Sequence, residues 1–170
     1  MQRRSLLGLG VAGAAVLALA GGGAALMYER AWRDGKLLAP GRRVLAAVAR
    51  AVLDGSLPSD VAAQAAAIES HLTRMEATIN SMPTHTQDEI ADLLALLAMP
   101  PLRASLAGLS AAWEHAPVAD VQAALQSMRQ SSLLLRRQVY GALRDLTHAA
   151  YFADASTWPV LRYPGPRTFA

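Results

Sequence analysis

The sequence predicts an all-α fold: a bundle of about five to six helices behind an N-terminal signal or anchor helix, closed by an irregular Pro- and aromatic-rich tail. Three observations carry this. The apolar period is near 3.6 residues almost throughout the body, with no sustained strand-like alternation. Hydrophobic residues make up 53% of the 170 residues, much of it alanine, the best intrinsic helix former. Aromatics are only 5%, so the helices must pack closely through small side chains. A mature chain of roughly 140–150 residues hides about 68–70% of its unfolded surface, enough for one domain without staples.

The first 27 residues stand apart. Arg3-Arg4-Ser5-Leu6-Leu7 opens an uncharged apolar run to about Leu26. A basic start, an apolar middle and small residues behind it describe a bacterial signal peptide. Paired arginines with Leu6 and Leu7 just beyond resemble the twin-arginine (Tat) export signal, which carries folded proteins. Gly8, Gly10 and Gly13 lower the hydrophobicity of the run, as in signals of that kind. Gln2 departs from the Ser or Thr usual before the arginines, and Leu6 stands where Phe is preferred. Ala18-Leu19-Ala20 before Gly21-Gly22-Gly23 fits a cleavage site. Left uncut, the same run is long enough to anchor in the inner membrane. Gly8-Leu9-Gly10-Val11-Ala12-Gly13 matches a dinucleotide fingerprint in letters only, because no strand precedes it.

A charged linker, residues 28–41, leads to the helical body, residues 42–153. The first helix, 42–54, sets Val44, Leu45, Val48 and Val52 on one face, with Gly55 and Pro58 as stops. The second starts near Ser59 as N-cap and carries Val61, Ala65, Ile68, Leu72, Met75, Ile79 and Met82 at spacings of four and three. That stripe suits a bundle core and, less commonly, a coiled-coil seam. Pro83 ends it. Thr86-Gln87-Asp88-Glu89 reads as a capping box for a third helix, with Ile90, Leu93, Leu94 and Leu97 inward. Pro100-Pro101 restarts a fourth, through Leu102, Leu106, Leu109 and Trp113. A fifth begins near Pro117 with Val121, Leu125 and Met128 inward. Ser131-Ser132 marks a break or a bend. A sixth runs through Leu135, Val139, Leu143 and Leu146 to about Phe152.

The tail, residues 154–170, holds Pro159, Pro164 and Pro166, which forbid a regular helix. It also holds Trp158, Tyr163 and Phe169, large apolar side chains that disordered tails seldom carry. It is expected to dock, on its own bundle or on a partner.

Charge and motifs exclude several function classes. Lys and Arg number 16 against 13 Asp and Glu, and setting aside Arg3 and Arg4 leaves an excess of one, no footprint for nucleic acid. Cysteine is absent, which removes disulfides, thiolate metal sites and covalent haem attachment. His71, His85, His115 and His148 form no metal-ligand spacing and read as surface or satisfied histidines. Carboxylates lie beside arginines, as in Arg144-Asp145, and no nucleophile elbow or P-loop is present. The pairs Arg42-Arg43 and Arg136-Arg137 read as solvated helix charge, with contact to an acidic partner as the other reading. The expectation is a chain that binds rather than one that makes bonds. A Tat-type signal on a chain without cofactor ligands makes sense if it travels with a cofactor-bearing partner that lacks a signal.

Several features outside the signal resemble a known group. They are a helix ending in Asp-Gly-Ser-Leu-Pro (residues 42–58), Pro101-Leu102-Arg103, Arg129 with Ser131-Ser132, and Tyr140 leading to Ala150-Tyr151-Phe152. The most specific is Trp158 before Tyr163-Pro164-Gly165-Pro166. Together the chain resembles the small Tat-exported subunits of membrane-associated flavin dehydrogenases, the third-subunit group of gluconate 2-dehydrogenase and its sorbitol and fructose dehydrogenase relatives. Arg162 and Arg167 stand where that group often has Gly and Pro. The resemblance implies a periplasmic complex. A glucose–methanol–choline type large subunit would hold FAD and oxidise a sugar or alcohol, and a cytochrome c subunit would carry haem c. This chain, itself without cofactor, would escort and stabilise the flavin subunit. Tyr151, Phe152, Trp158, Tyr163, Pro164, Gly165 and Pro166 would then be its partner-binding residues. The alternative is a freestanding Tat-exported helical protein, periplasmic or membrane-tethered, that binds some other ligand.

Overall fold

Asp34 and Gly35 both adopt positive φ, 50° and 75°, as a two-residue type I′ hairpin turn requires. They join β1 (Trp32–Arg33) to β2 (Lys36–Leu37), antiparallel, with Trp32 opposite Leu37 and Arg33 opposite Lys36. The computed structural model describes residues 28–165, without the side chains of Val160 and Leu161. The segment expected to be a linker is therefore largely a built hairpin. Asn80 at the end of the second helix latches it, donating from Nδ2 to the Gly35 carbonyl at 2.9 Å.

Six helices follow among the described residues: α1 (Ala39–Val52), α2 (Val61–Asn80), α3 (Thr84–Ala98), α4 (Pro100–Leu102), α5 (Val118–Arg129) and α6 (Leu134–Phe152). The chain is all-α, apart from that hairpin. α4 continues as a π-helical turn, Arg103–Ala107. The tail forms a 3₁₀ helix, Ala155–Leu161. Among the described residues no single helix is long and apolar enough to cross a membrane.

α1 is the hub. It packs against α2, α3, α5 and α6. It starts three residues before the expected point, because Pro40 suits the first turn of a helix and belongs inside it. Its buried face is broad, taking in Val44, Leu45, Ala47, Val48, Ala49 and Ala51, while Arg42, Arg43, Ala46 and Arg50 line a narrower, partly exposed side. Four neighbours close around it only because so many of those side chains are methyl groups.

Other elements differ from expectation for local reasons. The N-cap of α2 is Asp60 rather than Ser59, with Asp60 Oδ1 accepting from the Ala63 amide at 2.8 Å. Val61 is 83% exposed and Ala65 is exposed, so the buried stripe of α2 begins at Ile68. The capping box of α3 does not form. Pro83 takes the N-cap position, the helix starts at Thr84, and Thr86 is buried within it. Gln87 turns back instead to the turn after α2, donating from Nε2 to the Met82 carbonyl at 3.0 Å.

The fourth helix stops at Gly108, which adopts φ 74° and ends the π-helical turn. The buried Arg103 guanidinium holds the carbonyls beyond it, Leu109 at 3.2 Å and Ser110 at 3.0 Å. Leu109 and Trp113 thus reach the core from irregular chain rather than from a helix face. Trp113 is 2% exposed and donates its indole N–H to the Leu97 carbonyl at 2.7 Å. α5 and α6 bury Val121, Leu125, Met128, Val139, Leu143 and Leu146 as their periodicity predicts. Ser131-Ser132 is a true break, held by Arg137 Nη1 donating to both serine carbonyls.

Because α1 has no spare volume, Ala49→Leu is expected to destabilise the domain by about 1–3 kcal/mol through overpacking. Urea denaturation checks this: the midpoint should fall with little change in slope.

Candidate functional site

The tail residues singled out by the sequence gather at the end of α6. The last turns of that helix point Thr147, Ala150 and Tyr151 inward. Tyr151 is 7% exposed and donates from its hydroxyl to the Ser56 carbonyl at 3.3 Å. Its ring meets Phe152 edge-on, with centroids 5.1 Å apart, and His71 at 6.2 Å. Tyr151 is therefore a core residue that ties the α1–α2 connection to α6.

Beyond it, the Asp154 carboxylate starts the 3₁₀ helix by accepting from the Ser156 amide at 2.9 Å, and bonding to Ser156 holds it below the ordinary carboxylate range. Thr157 Oγ1 lies 3.0 Å from the Tyr151 carbonyl. Trp158 donates its indole N–H to the Phe152 carbonyl at 2.8 Å. The chain then turns at Arg162, whose φ of 53° folds Tyr163 back against Trp158, with ring centroids 5.3 Å apart. Gly165 is required here. Its φ is 97°, and a Cβ on it would stand 3.2 Å from the Trp158 ring. Trp158 and Gly165 thus form the inner layer of a small cap, while Tyr163, 47% exposed, and Pro164 form its outer layer. Phe152 is half-buried beneath it. Pro166 and the export-signal residues Arg3, Arg4, Leu6 and Leu7 lie outside the described residues.

A polar cavity of about 220 Å³ adjoins this cap, lined by Ser56, Ser70, His71, Arg74, Tyr151 and Thr157, among others. Arg74 crosses it, donating from Nε to the Ala150 carbonyl at 3.2 Å and pairing with Asp154 at 3.2 Å. His71 is a correction to the sequence reading. It is 1% exposed, and neither ring nitrogen has a hydrogen-bond partner. Burial first, then repulsion from Arg74, pushes its pKa down to about 4.

A second site has no counterpart in the sequence reading. α3 and α6 diverge to leave an apolar groove of about 700 Å³. Leu93, Leu94, Leu143 and Leu146 make its floor, and Met82, Ile90 and Ala149 its walls. Its ionisable groups are His85, Glu89 and Asp145. Asp145 is already bound by Arg144, at 2.9 Å and 2.6 Å. Glu89 Oε2 is buried without a hydrogen-bond partner. These leucines read in sequence as ordinary buried faces, because periodicity reports that a face is apolar and not what lies opposite it.

In each arginine pair one member ties elements together, Arg42 and Arg136, while Arg43 and Arg137 stay largely solvated as the sequence reading has them. Arg42 pairs with Glu69 and with the buried Glu76, while Arg43 lies 3.7 Å from Glu29 and from Glu114. Arg136 donates to the Leu106 carbonyl at 2.8 Å. Among the described residues no group of three His, Asp or Glu is arranged to hold a metal ion.

Neither family models, nor curated proteins, nor solved structures yield a match to this chain.

His71 gives a pH dependence with a definite sign. Its ordinary pKa is about 6.5. Between that and about 4 in the folded state, the unfolded chain binds the extra proton. Stability is therefore full above pH 6.5 and falls as the pH drops towards 4. A loss of about 2 kcal/mol is expected between pH 7 and pH 5. His71→Phe should flatten that slope in denaturation curves measured at both pH values, relative to the parent.

Proposed function

We propose that this chain is a non-catalytic accessory subunit. It escorts a periplasmic FAD-dependent sugar or alcohol dehydrogenase through the twin-arginine route and stabilises it. The observation that carries the reading is the C-terminal cap. Trp158 and Gly165 spend their packing on holding Tyr163 and Pro164 outward, and an aromatic–proline pair presented from a rigid base suits capture of a protein surface. The resemblance of Trp158 and Tyr163-Pro164-Gly165-Pro166 to the dehydrogenase small subunits supplies the partner. The Arg3-Arg4 signal supplies the route. The FAD would sit on the large subunit and haem c on a cytochrome subunit. This chain contributes contacts, the export signal, and inner-membrane attachment if the signal is retained.

Two side chains in one cap separate binding from folding. Tyr163→Ala removes an exposed ring, so the melting temperature of this subunit should hardly change. Loss of an interface anchor worth about 2–4 kcal/mol should weaken partner binding at least 30-fold. Trp158→Ala, which removes the base of the cap, should lower both. Co-purification from periplasmic extract, with an absorbance scan for flavin and haem, reads the partner directly. Recovery of the chain alone and colourless, with no companion protein, sinks the accessory role and favours a freestanding binding protein.

Export gives an independent reading. Arg3→Lys with Arg4→Lys should strand both this chain and its flavin partner in the cytoplasm, read by fractionation and immunoblotting. A partner that still reaches the periplasm rules out the escort.

A further inference from the structure

We propose that the corner between α5 and α6 is a contact for an anionic phospholipid surface. Leu133 and Leu134 enter the apolar layer, and Arg129, Arg136 and Arg137 meet the headgroups. Four observations favour this partner.

The first is an apolar tip that the fold leaves outside. Leu133 is 62% exposed and Leu134 61%, while the next residue, Leu135, packs on the core. Exposed apolar residues scattered singly are ordinary, but two adjacent leucines on a short turn between packed helices make a convex tip. The tip is held in place. The Leu133 amide donates to Ser131 Oγ at 3.2 Å, and Arg137 Nη1 donates to the Ser131 and Ser132 carbonyls at 2.6 Å and 3.0 Å.

The second is charge. Among the described residues none of Arg129, Arg136 and Arg137 pairs with a carboxylate, whereas Lys36, Arg42, Arg43, Arg74 and Arg144 all do. The three arginines donate instead to Gln126 Oε1, the Leu106 carbonyl, Ser127 Oγ and the two serine carbonyls. Such acceptors are neutral, so the positive charge of the corner stands.

The third is the lack of opposing charge in the elements that meet there. Residues 121–144, most of α5 and the first half of α6, contain no Asp or Glu. Nor do residues 93–113, which include the π-helical turn that takes the Arg136 bond. No side chain caps α6 at Leu133, so the positive end of the helix dipole adds to the same field.

The fourth is location. Tyr28, the first described residue, packs with Leu106 on the cluster of Leu96, Met99 and Leu102. The Leu106 carbonyl is the one that Arg136 holds. The chain thus enters the fold beside the corner, and the sequence before that entry carries no charged side chain from Ser5 to Met27.

A lipid surface receives a convex apolar tip without a matching pocket, while an acidic protein face would have to supply one. Two leucines with a few cations suit weak, reversible adsorption rather than anchoring. This goes beyond the accessory reading and does not depend on the flavin partner.

The sequence has no cysteine, so a single label reports the corner locally in the full-length chain. Ser132→Cys, exposed at the tip, carries a nitrobenzoxadiazole fluorophore. The control label sits on Ala65→Cys, exposed on α2, the helix whose His71 packs beside Tyr151 at the far end of α6. Vesicles of phosphatidylcholine are compared with vesicles in which phosphatidylglycerol replaces part of it. The tip emission should rise several-fold more on the anionic vesicles, and the control should stay flat. Arg129→Glu, whose parent side chain bonds only within its own turn, should raise the anionic lipid needed for half the rise at least fivefold. High salt should do the same without any substitution. Leu133→Ser with Leu134→Ser should remove the rise, and the urea midpoint should hold because both side chains are exposed. Equal rises at both labels, a rise indifferent to phosphatidylglycerol or to the leucine change, or a rise given only by protein from periplasmic extract, overturns the proposal. Co-purification of a flavin partner is scored separately, so either reading can fail without the other.

Discussion

The rest of the fold depends on α1 being narrow. A helix packed by α2, α3, α5 and α6 leaves only the narrow side of Arg42, Arg43, Ala46 and Arg50 to which bulk can be assigned. Ala47, Ala49 and Ala51 solve this with methyl groups, while Val44, Leu45 and Val48 supply apolar volume where neighbours stand further off. Alanine also loses no side-chain entropy on burial, so a helix rich in it orders at low cost. The high alanine content of the chain is thus a packing requirement at its centre, not only a helix propensity.

Around that centre, a few buried polar groups set the arrangement of the outer elements. Glu76 on α2 accepts the Leu37 amide at 3.1 Å, Lys36 Nζ at 3.1 Å and Arg42 Nη1 at 3.5 Å. One carboxylate therefore fixes the hairpin, α1 and α2 together. Arg103 does the same for the irregular chain after α4, and Arg136 ties α6 to Leu106. Each is a charged group bonded to otherwise unmet backbone or to an opposite charge, which burial makes strong. His71 is the exception. It lies in the α2–α6 seam with two unsatisfied nitrogens, and the seam holds it neutral.

The cap and the groove lie on different parts of the surface and offer different chemistry. The cap is a small rigid aromatic knob whose inner residues serve its outer ones. The groove is a concave apolar strip with a single unpaired carboxylate. A knob suits insertion into a partner, and a strip suits reception of an apolar segment. On the proposed function, the chain uses the first to hold its companion.

Much of the helical body is legible in the sequence, because helix periodicity and its breaks are local. Val121, Leu125 and Met128, or Val139, Leu143 and Leu146, announce their faces within one element. Pro83, Pro100-Pro101 and Ser131-Ser132 announce the breaks between elements. The Asp34-Gly35 turn was equally local but was obscured by strands only two residues long. The Trp158 and Tyr163-Pro164-Gly165 cluster was visible as an unusual composition, and the positive φ of Gly165 gives it a physical basis. What only the tertiary structure decided involves residues far apart in the chain. His71 is buried without hydrogen bonds beside Tyr151, 80 positions later in the chain. Trp113, beyond the Gly108 stop, is placed in the core by a contact 16 positions back, its indole N–H donating to the Leu97 carbonyl. The groove exists because α3 and α6 part, and no periodicity within either helix encodes the distance between them.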